Sequence, residues 1–232
     1  MERIFARSEA LLGKPNMQIL KNACVMVVGI GGVGGAVCEC LARTGVSRFV
    51  LVDGDVIDET NLNRQIFTCQ NNIGKLKTEE MAKRILSINP SADVKTISKF
   101  LTNENITTIL EDNVDYVIDC IDDIKAKVSL ASVAKSQGKQ IISAMGAGNR
   151  IALPNYFVTD VFKTANDPLA KVFRKKLREI GVENLDVCVA KENADIKLSP
   201  PSSVIWHPLS MGAVISAFVI NKLLQKQETF KK

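Results

Sequence analysis

An α/β fold is what the 232-residue sequence predicts: a doubly wound, mainly parallel sheet with helices on both faces and a C-terminal extension packing back on the core. Three observations predict it. Runs such as ACVMVVG (23–29) and DYVIDCID (115–122) are rich in valine and isoleucine, as strands buried on both faces are. These runs alternate with segments whose apolar residues recur at helical spacing. A glycine-rich turn, GIGGVGGA (29–36), joins the first run to the first such segment.

Taken in order, 23–29 is a strand and 34–45 a helix stopped by Gly45. SRFVLVDGD (47–55) is the second strand. Residues 75–89 form a helix with Leu76, Met81, Ile85 and Ile88 along one side, ended by Pro90. ADVKTISKFL (92–101) alternates like a strand, and 103–113 predicts a short helix with Thr102 as cap and Glu104 in its first turn. DYVIDCID is a further buried strand, 124–137 a helix, and KQIISAMG (139–146) a strand. Past Gly148 the alternation is lost: a basic helix (170–181), a turn-rich linker (194–203) and an apolar helix (203–224) follow, and KQETFKK (226–232) is expected to fray. One domain accounts for the chain, with a nucleotide-binding core over about 20–150 and a substrate or dimer extension over about 151–232.

The composition, 46% hydrophobic and 24% charged, is that of an ordinary globular chain and excludes a disordered one. A net charge of +5 permits an anionic partner without demanding one. The six cysteines contain no CxxC pair, which argues against a structural zinc site. Cys24 and Cys120 fall in apolar runs and are expected to be buried packing residues, as is Cys188 between two valines. The opening MERIFARSEALL lacks the apolar core of a secretory leader, so a reducing cytoplasm is expected. Pro208 to Leu224 is short for a bilayer span and contains Ser210, Ser216 and Asn221; a buried or dimer-interface helix is expected, with no membrane and no DNA as partner.

Gly29, Gly31 and Gly34 satisfy GxGxxG, with Gly32 adding a further glycine. Such a turn lets backbone N–H groups at a helix start approach a phosphate. Asp53 ends the next strand, 19 residues past Gly34, where an acid binds a ribose hydroxyl in a Rossmann-like fold. NAD and ATP are served equally so far.

The residues downstream separate them. Asp53, Asp55 and Asp58 lead into NLNRQ, with Asn61, Arg64 and Gln65. Arg64 carries the planar donor fork suited to phosphate. Lys75 and Lys77 in GKLK stand at a helix N-terminus, where cations oppose the dipole; either an anion lies between them or they are solvated. Asp119, Asp122 and Asp123 follow another strand: Asp122 suits magnesium on a polyphosphate while Asp123 suits a helix cap. Glycines, an arginine, a lysine and a carboxylate together stabilise charge on phosphates, which hydride transfer does not require.

GIGGVG, DxDxV, NLNRQ, GKLK and DCIDD, in this order, resemble the ubiquitin-activating-enzyme-like adenylyltransferases over about residues 20–150. ERIFARSEALLG, the stretch 143–151 and TDVFKTANDPLAKVFRKKLREIGV resemble one branch, the tRNA threonylcarbamoyladenosine dehydratases, extending the likeness to nearly the whole chain. The resemblance implies ATP and Mg2+ as cofactors. It implies activation of the carboxylate of the threonylcarbamoyl group on tRNA adenosine 37 as an acyl-adenylate, then cyclisation with loss of water. It places the phosphates on Gly32 and its neighbours Gly29, Gly31 and Gly34, the ribose on Asp53, the polyphosphate on Asn61, Arg64 and Lys77, and magnesium on Asp122. Asp55 and Gln65 fall in the same nucleotide-binding set. Arg7 resembles an arginine lent to the partner's active site in a homodimer, and a sulfur-transfer protein is a further possible partner. The cysteines of the protein-activating branches have no evident counterpart, which suits a reaction without a thioester. Residues 183–203 are short beside the crossover loop of the bacterial members.

Lys171, Arg174, Lys175, Lys176 and Arg178 form a basic cluster that either contacts tRNA phosphates or is a solvated helix face. The single histidine, His207, is expected to be structural, and no general base is evident. The rival expectations are an adenylyltransferase for the tail of a ubiquitin-like or sulfur-carrier protein, an NAD-dependent oxidoreductase, and a silent scaffold.

Overall fold

The computed structural model describes residues 3–110 and 113–228. Seven strands form one sheet in the order β3-β2-β1-β4-β5-β7-β6. Two short helices, α1 (Ala6–Leu12) and α2 (Lys14–Asn22), precede β1 (Cys24–Val28). Then come α3 (Gly32–Thr44), β2 (Arg48–Val52), α4 (Lys77–Ile88), β3 (Asp93–Ile97), α5 (Ile106–Ile109), β4 (Tyr116–Asp119), α6 (Ile124–Ser136) and β5 (Ile141–Ala144). The second half adds β6 (Tyr156–Asp160), α7 (Pro168–Glu179), β7 (Asp186–Ala190) and α8 (Trp206–Glu228).

All neighbours pair in parallel except β6, which runs antiparallel to β7 at the sheet's edge. The order reverses at β1, which lies between β2 and β4, so a crevice opens beyond the carboxyl ends of β1 and β4. Strand β1 shows why the central strands are apolar throughout. Val25 and Val27 enter the layer that holds Val37, Leu41, Met81, Met211 and Ile215 of α3, α4 and α8. Cys24, Met26 and Val28 enter the opposite layer, with Leu130, Ala131, Phe173 and Leu177 of α6 and α7. Both faces are covered, as the continuous apolar runs require.

Helix boundaries follow local chemistry. Gly45 closes α3 in the left-handed region at φ 112°. Asp123 and Asp167 cap α6 and α7, accepting from Ala126 N at 2.8 Å and Ala170 N at 2.9 Å. The helix expected over 103–113 shortens to α5; residues 111 and 112 lie outside the described residues. Thr102 does not cap it: Asn105 instead accepts from Thr102 N through Oδ1 at 2.8 Å, folding the entry into a turn. Strands β6 and β7 were not evident in the sequence: half-exposed β6 has no buried apolar run to mark it, and β7, though its DVCVA run is buried, lies where the strand–helix alternation is lost.

Helix α8 packs on α3. A Cβ on Gly212 would stand 2.6 Å from Ala36 Cβ, so the two backbones meet closely there. Trp206–Gln225 is long and apolar enough to cross a membrane by length and composition alone, yet half of it is buried inside the protein. Its other side leaves Trp206, Leu209, Ala213 and Ala217 exposed. The fraying expected over 226–232 is not seen through residue 228, where α8 continues, and 229–232 lie outside the described residues.

Candidate nucleotide site

The glycine loop turns sharply at the end of β1. Gly29 has φ 88°, and a Cβ there would stand 2.7 Å from Cys120 O, at the end of β4. A Cβ on Gly34 would overlap Gly29 O. Gly32 lies against both Pro208, at 2.9 Å from its would-be Cβ, and Arg64 O, at 3.3 Å. Glycine is thus required at Gly29 and Gly34 by close backbone approach, and at Gly32 by the Pro208 ring. Gly31 differs: nothing lies within 4 Å of its would-be Cβ, so open space stands over the start of α3, where unpaired N–H groups favour an anion.

Asp53 follows β2 and faces this loop. Its Oδ2 accepts from Ile30 N at 2.6 Å and its Oδ1 from Asp55 N at 2.8 Å. Burial pushes its carboxyl above the usual range. A ribose hydroxyl donating to this carboxylate would stabilise its charge.

The segment after Asp53 is a compact loop. Asp58 caps a short 3-10 turn by accepting from Thr60 N at 2.8 Å, and Asn61 Oδ1 accepts from Asp58 N at 3.2 Å. Asn61 is buried, and the expectation that it contacts a polyphosphate is corrected for its oxygen: that atom closes a capping box. Arg64 folds back on the loop, Nη1 donating to Thr60 O at 2.8 Å and to Asn63 Oδ1 at 2.9 Å. Its backbone carbonyl borders Gly32, so the arginine stands next to the phosphate loop. Gln65 is buried with Oε1 unpaired, an acceptor left for a ligand or a water.

Lys77 begins α4 and is buried, not solvated. Its Nζ stands 2.6 Å from Asp55 Oδ2, so the anion that offsets this cation at a helix N-terminus is the chain's own Asp55. Asp55, expected among the nucleotide-binding residues, instead holds Lys77, while Lys75 is exposed. The pair sits two residues beyond Asp53, on the same rim.

At the end of β4, Asp122 is exposed and Asp123 caps α6 as expected. Asp119 is wholly buried and paired with Lys127 at 2.8 Å, which rules it out as a metal ligand in this arrangement. Among the described residues no three His, Cys, Asp or Glu groups come together to hold a metal. One exposed carboxylate fits magnesium that is carried mainly by phosphates and water, not a protein-built cage.

Arg7 is exposed on α1 and is not brought to this site. Phe5, two residues before it, packs beside Gly45, at the opposite end of α3 from the glycine loop, about 20 Å away by helix rise. His207 is buried, with Nε2 2.9 Å from Arg150 O; burial lowers its pKa, and the structure supports a packing role. Cys188 is buried in β7 with its thiol pushed up to about 12 by burial, so it packs, as expected, and is not a ready nucleophile. In the basic helix, Arg174 is half-buried and donates to Thr164 O at 2.6 Å, Lys176 is half-buried, and Lys171, Lys175 and Arg178 are exposed, Arg178 lying over the Phe162 ring at 5.1 Å. The linker expected over 194–203 returns to the site: Asn63 Nδ2 donates to Ser203 O at 3.1 Å.

Lys127 was missed in the sequence. A signal was present: Lys127, Leu130, Ala131 and Ala134 share one helical stripe, and a lysine on an apolar stripe requires a buried partner.

A model of the ThiF family matches residues 5–185. A tRNA threonylcarbamoyladenosine dehydratase of Bacillus subtilis is 35% identical over 243 aligned positions, covering 97% of this chain and 96% of the relative. The solved structure of the Escherichia coli tRNA N6-threonylcarbamoyladenosine dehydratase in complex with ATP matches with a TM-score of 0.92 and 31% identity, covering 98% of this chain and 96% of that one. The adenylyltransferase and sulfurtransferase UBA4 of Vanderwaltozyma polyspora is 39% identical over 130 residues, but these cover only 56% of this chain and 30% of that protein. With a seven-stranded fold, a glycine-lined crevice and these likenesses, the chain belongs to the ThiF family and is similar over nearly its whole length to the tRNA threonylcarbamoyladenosine dehydratases.

Proposed function

We propose that this protein is an ATP-dependent tRNA threonylcarbamoyladenosine dehydratase. It activates the carboxylate of the threonylcarbamoyl group on tRNA adenosine 37 as an acyl-adenylate and then closes the ring with loss of water. The observation that carries this is the end-to-end likeness to a dehydratase solved with ATP, combined with a crevice whose glycine loop, Asp53 and Arg64 suit a nucleotide.

In the first step a carboxylate oxygen attacks the α-phosphorus of ATP, forming a P–O bond as the bond to pyrophosphate breaks. Two anions meet, so positive charge must be waiting. Backbone N–H groups from Gly31 onward and the Arg64 guanidinium supply it once Arg64 swings from Thr60 O. Lys77 adds its charge from the rim, already fixed by Asp55. Asp122 would hold magnesium, which offsets phosphate charge when bound. In the second step a nucleophile of the same threonylcarbamoyl-adenosine group attacks the activated carbonyl and AMP leaves. Such an intramolecular closure gains from high effective molarity.

Several features support the partners. Lys171 and Lys175 on α7 offer exposed charge for tRNA phosphates. A homodimer through α8 accords with its exposed face of Trp206, Leu209, Ala213 and Ala217, and would bring a second copy's Arg7 into play. Six free cysteines accord with a cytoplasmic setting. The second reading, activation of a ubiquitin-like or sulfur-carrier tail, is favoured by the partial likeness to UBA4. Pyrophosphate exchange into ATP, stimulated by threonylcarbamoylated tRNA but not by a carrier protein, separates the two. Mass spectrometry of tRNA nucleosides after incubation with enzyme and ATP should show an ATP-dependent loss of water; its absence overturns the proposal.

A further inference from the structure

The buried ion pair behind the site has no part in the chemistry described above. Asp119 ends β4 and Lys127 lies in the second turn of α6; both side chains have 0% exposure, with Nζ 2.8 Å from Oδ2. Apolar residues of similar volume usually stabilise a core as well as such a pair does, so stability alone is a weak reason to keep it.

The geometry gives a stronger reason. The second oxygen of Asp119 accepts from Ile121 N at 3.0 Å, turning the chain sharply after β4. The turn sets Cys120 O against Gly29 and Cys120 Cβ against Gly34, where would-be Cβ atoms would stand 2.7 Å and 3.4 Å away. Asp122 follows Ile121 directly. On its far side Asp123 is tied into α6 through Ala126 N, and Lys127 N returns to Asp123 O at 3.0 Å. Asp122 is thus held between two anchors, and the Lys127–Asp119 bond joins them. Lys127 Nζ is itself backed by the Phe173 ring of α7 at 5.7 Å.

We propose, resting on the adenylation chemistry above, that Lys127 and Asp119 are positioning residues that hold the Cys120–Asp123 turn, and with it the Asp122 carboxylate, in place for magnesium-bound ATP before the nucleotide arrives. Removal of an outer partner of a metal-holding carboxylate typically lowers metal affinity or activity about 10–100-fold.

The test uses the full chain and the double variant Asp119→Leu/Lys127→Met, which replaces both charges by apolar side chains. The variant keeps the circular dichroism spectrum and cooperative unfolding of the parent. Its ATP affinity in EDTA stays within about twofold, while the gain in affinity on adding magnesium and the kcat for dehydration both fall about 10–100-fold. A folded double variant that keeps the magnesium gain and normal kcat overturns the positioning role and leaves the adenylation proposal standing. Parent protein with neither magnesium-dependent ATP binding nor pyrophosphate exchange overturns both. If the double variant does not fold, hydrogen exchange on the parent decides. An Ile121 amide equally protected with and without nucleotide supports the pre-set turn; free exchange until ATP and magnesium are added refutes it.

Discussion

Gly31→Ala separates binding from folding at this site. The would-be Cβ meets nothing within 4 Å, and the residue has φ −93°, a value open to alanine. Stability should therefore change by no more than about 0.5 kcal/mol, the usual range for substitutions that touch nothing. The methyl group would instead fill the space over the N-terminus of α3, where a phosphate oxygen would rest on backbone N–H groups. Loss of one hydrogen bond to a charged group costs about 1.5–3 kcal/mol, which is roughly a 10- to 150-fold loss of ATP affinity. Gly29→Ala, two residues earlier, is the control. Its φ of 88° is unfavourable for alanine by about 1–2 kcal/mol. Its Cβ would also press on the Cys120 backbone at 2.7 Å, adding about 1–3 kcal/mol. A fall in Tm of roughly 4–20 °C follows for a chain of this size. Isothermal titration with ATP and thermal unfolding read the two effects apart. Unchanged ATP affinity in Gly31→Ala would refute the claim that phosphates rest on this turn.

Three other outcomes are expected. Arg64→Ala and Asp122→Ala should each reduce pyrophosphate exchange at least about 100-fold with the fold intact, since Arg64 bonds only within its own loop and Asp122 is exposed; a near-normal rate in either misassigns that residue. His207 is the only histidine and is buried, its pKa lowered by desolvation. Below the unfolded pKa of about 6.5 the unfolded chain then binds the proton more readily, so its contribution to stability is present above that pH and is lost as pH falls towards the lowered folded value. Urea unfolding between pH 5 and 7.5 should show this slope in the parent and not in His207→Phe, and an imidazole NMR titration at or above 6.5 would contradict it. Lys171→Glu/Lys175→Glu should weaken tRNA binding across sequences and flatten its salt dependence by about one or two phosphate contacts, while ATP binding alone stays unchanged; a binding curve equal to the parent's would remove α7 from the tRNA surface.

Much of the site was legible because its signals are local. The glycine spacing of Gly29–Gly34, an acid ending a strand at Asp53 and a cap before a helix at Asp123 are patterns of contiguous chain, and the structure has the turn, the strand end and the cap at those positions. Strands β1, β2, β4 and β5 were legible for the same reason: a parallel strand covered on both faces has to be apolar throughout, and composition records that, while β3 was legible from its alternation. Strand β6 escaped because an edge strand, half exposed, carries no such constraint.

Which charge meets which was not legible. By itself the sequence determined an α/β sheet, a nucleotide-binding turn and the family's order of motifs, because helix and strand periods and glycine geometry are properties of contiguous chain. Only the tertiary structure decided that Lys77 is held by Asp55, that Asp119 is given to Lys127 and leaves Asp122 as the outward carboxylate, and that Arg7 lies away from its own chain's crevice. A buried charge takes the partner that packing brings within hydrogen-bond reach, and spacing along the sequence does not record that distance.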